Sequence, residues 1–414
     1  MVPDDVKKPS EFSLIDPKVQ ECPYDFYASM RAHDPVYQMP ESGFYIVSRY
    51  EDCMEALGKP EIFSSKMGFR IMEDPPEVKR IFEAAYGDIV DTLVTNDPPS
   101  HTRFRKLVNT AFTAARVAKL VPYIEQVVFE TLEQITGRPE IDVVKDYAVP
   151  IPMKIIADQL GVSRDDMDRF KIWSDASVEP LGGMIDKARY IEVAKLIVEM
   201  QRYFADRIEE RRVEPRDDML SDLVNARLEG ERPLDLQELL SVIQQLLVAG
   251  NETTTNTISS GVLLLCRDPQ TFAKLRASPE LCGNFAEEIL RLESPVQGLF
   301  RKTTQETVLG GKKIPKGAMV NLRYGSANRD EAKFECPADI KLDRPNPRSH
   351  LAFAAGIHTC IGAQLARKEI EVAMRVLVTR LKGVRLSSKQ GPLEYYPTLI
   401  LRGLKTLRVE LDWA

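Results

Sequence analysis

The sequence predicts a mainly α-helical protein with a minor β region. Apolar residues recur at helical spacing through most of the stretch from about 98 to 292, and again from 361 to 381. The run from Asp235 to Leu265 is unusually long, largely apolar and without proline, so we expect a helix buried on nearly all sides that crosses the middle of the molecule. Short apolar stretches punctuated by glycine and proline at about 35–50, 299–342 and 384–411 predict the small β-rich part.

The remaining elements follow the same patterns. Pro23 to His33 has the pattern of a helix, and Gly43 to Val47 that of a strand in a small sheet. The 414 residues would permit two or three domains. Between the first helix and the last strand there is no Gly/Ser linker, low-complexity tract or repeat, so we predict one domain over residues 1–414.

Composition excludes several classes of function. A formal net charge of -6 argues against a nucleic-acid-binding protein. The first residues are polar and charged, without the apolar run of a signal peptide or membrane anchor. Six cysteines are scattered without a C-x-x-C pair, so neither a zinc site nor a disulfide framework is predicted. We expect a cytoplasmic monomer that binds neither membrane nor nucleic acid.

One segment near the C-terminus carries the strongest chemical signal. Phe353, Gly356, Cys360 and Gly362 form the pattern F-x-x-G-x-x-x-C-x-G directly before a predicted helix. Glycines allow the backbone to bend and to approach a flat ligand closely, and a helix N-terminus directs partial positive charge at the sulfur. An isolated intracellular cysteine is more often a small buried hydrophobe. This spacing instead favours a thiolate that serves as the axial ligand of haem iron.

This segment resembles the haem-binding signature of the cytochromes P450. The resemblance implies the cytochrome P450 fold, with the long central helix over the haem, and haem b (iron protoporphyrin IX) as the cofactor. Cys360 would be the axial iron ligand, with Phe353, Gly356 and Gly362 against the haem. One position departs from the family pattern. Ala354 stands where the family usually has glycine, and its methyl group is expected to press on the bend below the haem.

Polar residues interrupt the long helix between Ala249 and Thr255, where the sequence is A-G-N-E-T-T-T. A carboxylate and hydroxyls inside an apolar helix are costly unless partnered. Threonine hydroxyls can bond back to the preceding turn and open a groove beside Ala249 and Gly250, although they can equally cap or bend a buried helix. The resemblance extends to the family motif A-G-x-[DE]-T-T. It implies that Ala249 and Gly250 lie at the haem, that Thr253 stabilises the bound oxygen species, and that Glu252 passes protons inward.

A charged pair follows downstream in Glu288-Ile289-Leu290-Arg291, three residues apart on one helical face. Such a pair alone is common on protein surfaces. The resemblance implies that Glu288 and Arg291 join a second arginine, matched here by Arg344, in a buried network that supports the cysteine loop.

Haem propionates need cationic or donor partners. The stretch from Asp97 to Arg105 resembles the family pattern D-P-P-x-H-x-x-x-R, with His101 and Arg105 on one face of a helix. The resemblance assigns them to the propionates, together with Arg301 and His358. The alternative is ordinary surface charge. For His350 the alternative is a structural histidine whose hydrogen bonds are satisfied within the loop.

Pocket residues are expected from the segment Ser64 to Thr95, from the long helix, from the stretch after Ser294, and from the turn near Ile400. By helical spacing back from Thr253, the pocket side carries Gln245, Val248 and Ala249. Val296 and Ile400 match positions that line the pocket in relatives. For Gln245 two alternatives stand, a hydrogen bond to an oxygen of the substrate or a contact with water or a neighbouring loop.

No flavin or iron–sulfur module is visible, so we expect electrons from a small acidic ferredoxin served by a separate reductase. Arg103 and Lys106, with Arg367 and Lys368, are candidates for a basic docking patch.

Taken together, the motifs predict a haem monooxygenase that uses O2 to oxidise a hydrophobic small molecule, whether terpenoid, steroid, fatty acid or aromatic.

Two alternatives remain open at this point. One is a peroxide-driven or rearranging haem-thiolate enzyme, although such relatives often lose the acid–alcohol pair that this chain keeps. The other is a non-enzymatic haem sensor, which usually carries an output domain that is not visible in this sequence.

Overall fold

A computed structural model describes residues 7–66, 74–87, 89–182 and 185–414. The predicted class is confirmed, because long helices dominate and the strands are short. The helices are α1 Pro17–Glu21, α2 Tyr24–His33, α3 Tyr50–Leu57, α4 Pro76–Glu83, α5 Ser100–Asn109, α6 Ala114–Glu133, α7 Pro150–Gln159, α8 Met167–Val178, α9 Lys187–Val213, α10 Met219–Val224, α11 Leu236–Arg267, α12 Pro269–Ala277, α13 Cys282–Glu293, α14 Tyr324–Ala327 and α15 Ala363–Arg380. The strands are β1 Val36–Gln38, β2 Tyr45–Val47, β3 Phe63–Ser64, β4 Glu140–Asp142, β5 Leu299–Thr303, β6 Thr307–Leu309, β7 Lys312–Ile314, β8 Met319–Leu322, β9 Leu381–Leu386 and β10 Arg408–Trp413.

The chain divides into two compact units. The first contains residues up to Ser64, Pro122–Ile151 and Thr253–Ala414, and the second contains Ser65–Val121 and Pro152–Glu252. The single domain predicted from the sequence stays a prediction. No described helix is both long and apolar enough to cross a membrane.

The first unit holds the β structure. One sheet has the strand order β1-β2-β8-β5-β3, a second has the order β4-β10-β9, and β6 pairs with β7. Within the first sheet β2 and β8 are parallel, and the other neighbours are antiparallel. Alternation along β2 separates two cores, because Tyr45 and Val47 pack in one apolar cluster and Ile46 packs in the other.

One strand lies inside the stretch predicted to be helical. β4 pairs with β10, so that Ile141 faces Val409 across a separation of more than 260 residues. A three-residue strand has too little periodicity to be recognised in sequence, and its pairing partner supplies the missing stabilisation.

The second unit is built from helices, with α9 packed against α4, α8 and α10. The rings of Trp173 and Tyr203 lie 5.1 Å apart at the contact of α8 with α9. Arg211 near the end of α9 is buried and donates to Asp218 at 2.8 Å. Asp218 also caps α10 by accepting from the Ser221 N–H at 2.7 Å. Together these contacts fix the angle between α9 and α10.

The long helix α11 is confirmed almost to the residue. Its 32 residues span about 48 Å. At its start the Asp235 carboxylate accepts from the Glu238 N–H at 2.9 Å, and the Glu238 carboxylate accepts from the Asp235 N–H at 3.0 Å, which is a reciprocal capping box. Residues 254–263 are all buried, as predicted, whereas residues 244–253 include an accessible face.

Candidate functional site

The cysteine segment forms a tight loop in front of α15. The Cys360 N–H donates to the Phe353 carbonyl at 2.9 Å, and the Thr359 N–H and hydroxyl both donate to the Gly356 carbonyl. Gly356 has a φ of +67°, and a Cβ at this position would lie 2.8 Å from the Leu57 carbonyl oxygen, so only glycine fits. Cys360 itself is exposed, which is a requirement for a ligand to a group bound outside the loop.

Ala354 lies at the position where the sequence departs from the family. Its φ is +54°, in the left-handed region that residues with a side chain rarely adopt. The turn is held by the Ala354 N–H, which donates to the Leu351 carbonyl at 2.9 Å. The loop therefore carries backbone strain that a glycine would avoid.

The structure brings together the three members of the predicted ion network. The Glu288 carboxylate accepts from Arg291 at 2.8 and 2.9 Å and from Arg344 at 2.8 and 3.3 Å, and it also accepts from the Lys341 N–H at 2.9 Å. Glu288 and Arg291 are completely buried. Burial acts to raise the pKa of Glu288, but the hydrogen bonds from the two arginines hold it below its ordinary value. Arg291 also donates to the carbonyls of Asn328, Pro337 and Asp339, so the network holds the segment from 328 to 339 against α13.

Arg301 is a buried cation in the same unit. It lies on β5 and is 4% exposed. Its Nη1 donates to the Phe300 carbonyl at 2.8 Å, while Nη2 has no hydrogen-bond partner among the described residues. A buried donor without a partner costs about 1–3 kcal/mol, and more when it is charged. An anionic oxygen is the natural acceptor for the Arg301 Nη2. His358, the other propionate partner predicted in this unit, lies in the cysteine loop and is half-buried.

The second unit carries the other predicted propionate partners. His101 and Arg105 lie one turn apart on α5, and His101 is 2% exposed. Burial and the neighbouring Arg105 lower the pKa of His101, while Asp97 acts in the opposite direction. The lowered pKa favours the neutral imidazole, which can donate one hydrogen bond without adding charge.

One face of α11 stays accessible where the sequence places the proton relay. Its residues are half-buried or exposed and follow the i, i+3, i+4 spacing of one helical face: Gln245, Val248, Ala249, Glu252 and Thr253. The residues Leu246, Leu247, Asn251 and Thr254 around this face are buried. The Thr257 hydroxyl donates to the Thr253 carbonyl at 2.7 Å, which is the back-bonding expected of hydroxyls in this helix.

Gln245 makes the loop contact that the sequence left open as an alternative. Its Nε2 donates to the Thr92 hydroxyl at 2.5 Å, and its Oε1 accepts from the Val94 N–H at 3.2 Å. Both ends of the amide are therefore engaged by residues of the predicted pocket segment Ser64 to Thr95. Residues 67–73 and 88 of that segment lie outside the described residues.

In the first unit Val296 pairs with Leu401 in an isolated bridge, and the Gln297 N–H donates to the Ile400 carbonyl at 2.7 Å. The predicted pocket positions 296 and 400 are thus neighbours.

Two members of the predicted docking patch are held by carboxylates. Arg103 donates to Glu238 at 2.9 Å in the second unit, and Arg367 donates to Glu287 at 2.7 Å in the first. Glu287 adjoins Glu288, but no sequence motif marks it as a functional residue. No spacing rule relates positions 287 and 367, so only the fold could reveal this contact.

The residues of the first unit fit the haem that the motif implies. Cys360 offers an accessible sulfur, Gly356 keeps the loop without a side chain, and the Arg301 Nη2 is a buried cationic donor in need of an acceptor. The chemistry of this donor set matches a thiolate-ligated iron with an anionic substituent nearby.

Comparison with known proteins agrees with this assignment. The family model for cytochrome P450 matches residues 36–279 and 280–409. The chain is 37% identical over 393 residues to the putative cytochrome P450 YjiB of Bacillus subtilis, covering 94% of each protein. It is 34% identical over 383 residues to the steroid C26-monooxygenase of Mycolicibacterium smegmatis, covering 92% of this chain and 91% of that protein. The solved structure of cytochrome P450 CYP109Q5 from Chondromyces apiculatus is similar with a TM-score of 0.86 and 33% identity, covering 97% and 98% of the two chains.

Fold and site together define a haem-thiolate monooxygenase that binds haem b and acts on small molecules. The chain belongs to the cytochrome P450 family. The resemblance seen in the sequence motifs is thereby confirmed.

Proposed function

We propose that this P450 inserts one oxygen atom from O2 into a neutral hydrophobic small molecule of the terpenoid or steroid type, with electrons from a ferredoxin and a separate reductase. The observation that carries the proposal is the accessible face of α11, which is apolar at Val248 and Ala249 and ends in the acid–alcohol pair Glu252 and Thr253. Such a face offers contact area to an apolar substrate beside a source of protons.

Cys360 is proposed as the axial ligand, and Arg301 and His358 as donors to a propionate. When bound, haem b supplies the activation of dioxygen. The Arg301 Nη2 would then gain the acceptor that it lacks among the described residues. The role of propionate partner implied for His101 and Arg105 stays a prediction based on their motif.

Proton supply is assigned to two neighbouring residues of α11. The Thr253 hydroxyl would hold and deliver a proton at Oγ1, and the Glu252 carboxylate would take up a proton from water and pass it to Thr253. Insertion of one oxygen atom consumes two protons and two electrons for each O2, and the second oxygen atom leaves as water. A peroxide-driven enzyme needs neither external electrons nor this relay, so the retained pair favours the monooxygenase.

The proposed substrate class follows from the predicted pocket residues. Val248, Ala249, Val296 and Ile400 are apolar, and the amide of Gln245 is engaged by Thr92 and Val94. None of these five carries a charge. A fatty acid or an aromatic acid would bring a carboxylate that needs a cationic or donor partner. A neutral terpenoid or steroid has no such need, and one relative is named a steroid C26-monooxygenase.

The test is an optical titration of the purified ferric haem protein with terpenoids, steroids, fatty acids and aromatic acids. A substrate that displaces the iron-bound water shifts the Soret band to the blue. We expect this shift with neutral terpenoids or steroids, followed by O2-dependent product formation when ferredoxin and reductase are added.

A shift with carboxylic acids alone would contradict the proposed substrate class. Turnover with peroxide but not with O2 and ferredoxin would contradict the proposed reaction. A Cys360→Ser variant, matched by Cys336→Ser at another exposed cysteine, separates loss of the iron ligand from general damage.

A further inference from the structure

Glu287 lies beside Glu288 on α13, but its carboxylate binds a different set of groups. Its Oε1 accepts from Arg367 Nε at 2.7 Å, and its Oε2 accepts from His350 Nε2 at 2.9 Å. The side chains of Glu287 and His350 are 5% and 0% exposed. Burial acts to raise the pKa of Glu287, but the hydrogen bonds from His350 and Arg367 hold it below its ordinary value. The carboxylate is therefore ionised and compensates the charge of Arg367, and it also pairs at 3.4 Å with the exposed Arg348.

His350 and Arg367 both reach the aromatic ring that opens the cysteine loop. The Arg367 guanidinium carbon lies 4.5 Å from the ring centroid of Phe353, within the range of a cation–π contact. The imidazole centroid of His350 lies 6.0 Å from the same ring. The Ala352 N–H donates to His350 Nδ1 at 3.2 Å, so Nε2 carries the proton and donates it to Glu287. One carboxylate thus orients both groups that contact Phe353.

Phe353 in turn is bonded to the cysteine. Its carbonyl accepts the Cys360 N–H at 2.9 Å, and it immediately precedes Ala354 with its left-handed backbone. A shift of Phe353 would move this carbonyl and the orientation of Cys360 with it. The path from Glu287 through Arg367 and Phe353 therefore consists of three contacts and ends at the backbone N–H of Cys360.

We propose that Glu287, acting through His350 and Arg367, is a positioning residue for the Cys360 loop, and that this clamp sets the reduction potential of the haem. The inference rests on the proposed role of Cys360 as the iron ligand. No sequence motif marks the clamp, since its members are 63 and 80 residues apart along the chain. The effect has two parts, the mechanical hold on Phe353 and the neutralisation of a cation beside the loop.

The two parts make separable predictions. Glu287→Gln removes the negative charge and leaves Arg367 uncompensated, and a cation beside the cysteine loop would favour the reduced state of a bound haem. We expect its reduction potential to shift to a more positive value. The double variant Glu287→Gln/Arg367→Met removes both charges, so its potential should return toward that of the wild type. Arg367→Lys keeps the charge but loses the planar contact with Phe353 and the geometry of the hydrogen bond to Glu287. The reduction potential of Arg367→Lys should equal that of the wild type, but its ferrous CO complex should lose part of the thiolate-type Soret band.

The experiment measures the reduction potential by spectroelectrochemistry and the ferrous CO spectrum of each haem-loaded variant. Glu371→Gln is the matched control, because Glu371 lies on the same helix as Arg367 and pairs only with the half-exposed Lys368 among the described residues. A structural role alone would lower the thermal stability of Glu287→Gln without moving its potential beyond that of the control, and this result would overturn the proposal. If Glu287→Gln loads no haem, Arg367→Lys with a CO spectrum identical to that of the wild type would overturn it as well.

Failure of the proposed function gives a different result. A wild-type protein without the thiolate-type CO spectrum would contradict the role of Cys360 before any variant is compared. A wild type that has this spectrum, with variants that match the control, would contradict the clamp alone.

Discussion

Ala354→Gly should stabilise this protein, against the usual effect of introducing glycine. An alanine in the left-handed region costs about 1–2 kcal/mol. Glycine removes that strain but loses about 0.5–1 kcal/mol through the greater entropy of the unfolded chain. With a φ of +54° at Ala354, the strain should outweigh or balance the entropy cost, and the net gain should be about 0–1.5 kcal/mol.

Ala355→Gly is the matched control. Ala355 has a φ of −150°, an extended conformation that alanine adopts without strain. Both alanines are partly buried against the same apolar cluster, so the two variants lose comparable packing and the same chain entropy. The difference between them isolates the left-handed strain. Ala354→Gly should therefore be more stable than Ala355→Gly by about 1–2 kcal/mol.

Differential scanning calorimetry of the two haem-loaded variants at one scan rate gives the comparison. An unfolding entropy of about 2.1 cal/mol/K per residue amounts to about 0.9 kcal/mol/K for 414 residues. The expected difference in Tm is then about 1–2 °C, with Ala354→Gly the higher. Equal Tm values, or the reverse order, would show that the loop does not store this strain.

Three further variants probe the buried charges and the proton relay. Glu288→Gln leaves two buried guanidinium groups uncompensated and should cost about 3–5 kcal/mol, seen as lost haem content and soluble yield. The surface control Glu371→Gln should stay within about 0.5 kcal/mol of the wild type, and equal haem loading in both would contradict the network. Thr253→Ala should release more peroxide per electron pair consumed, and unchanged coupling would exclude Thr253 from the relay. Burial raises the pKa of Glu369 from 4.5 to about 8. Because this folded-state pKa lies above the unfolded value, the folded state holds the proton more tightly, and stability is lost as pH rises between these values. Glu369→Gln should remove this pH dependence. Measured by denaturant titration, its free energy of unfolding should rise relative to that of the wild type by up to about 4 kcal/mol between pH 5 and pH 8. A difference between variant and wild type that does not change with pH would contradict the raised pKa of Glu369.

The parts of the site that sequence predicts are those encoded within one local segment. The helix from Leu236 to Arg267 has a largely apolar sequence without proline and a capping box at its start, so its bounds were predictable. The cysteine motif from Phe353 to Gly362 spans ten residues, and it predicts both the loop and the start of the helix that follows. The strand β4 was missed because its stabilisation comes from β10, far along the chain. For the same reason the sequence could not decide between the two hydrogen-bond partners considered for Gln245, because the Thr92 hydroxyl that it contacts belongs to a loop far away along the chain.

The adjacent glutamates of α13 show how one helix can organise the cysteine loop from two directions. Consecutive residues of a helix project about 100° apart, so Glu287 and Glu288 cannot serve the same partners. Glu288 binds Arg344 and thereby holds the chain that enters the loop, whereas Glu287 binds His350 and Arg367 on either side of the loop itself. Each carboxylate is buried and ionised because hydrogen bonds lower its pKa, from Arg291 and Arg344 for Glu288 and from His350 and Arg367 for Glu287. Loss of Glu288 should therefore be seen first in folding and haem content, and loss of Glu287 first in the properties of the bound haem.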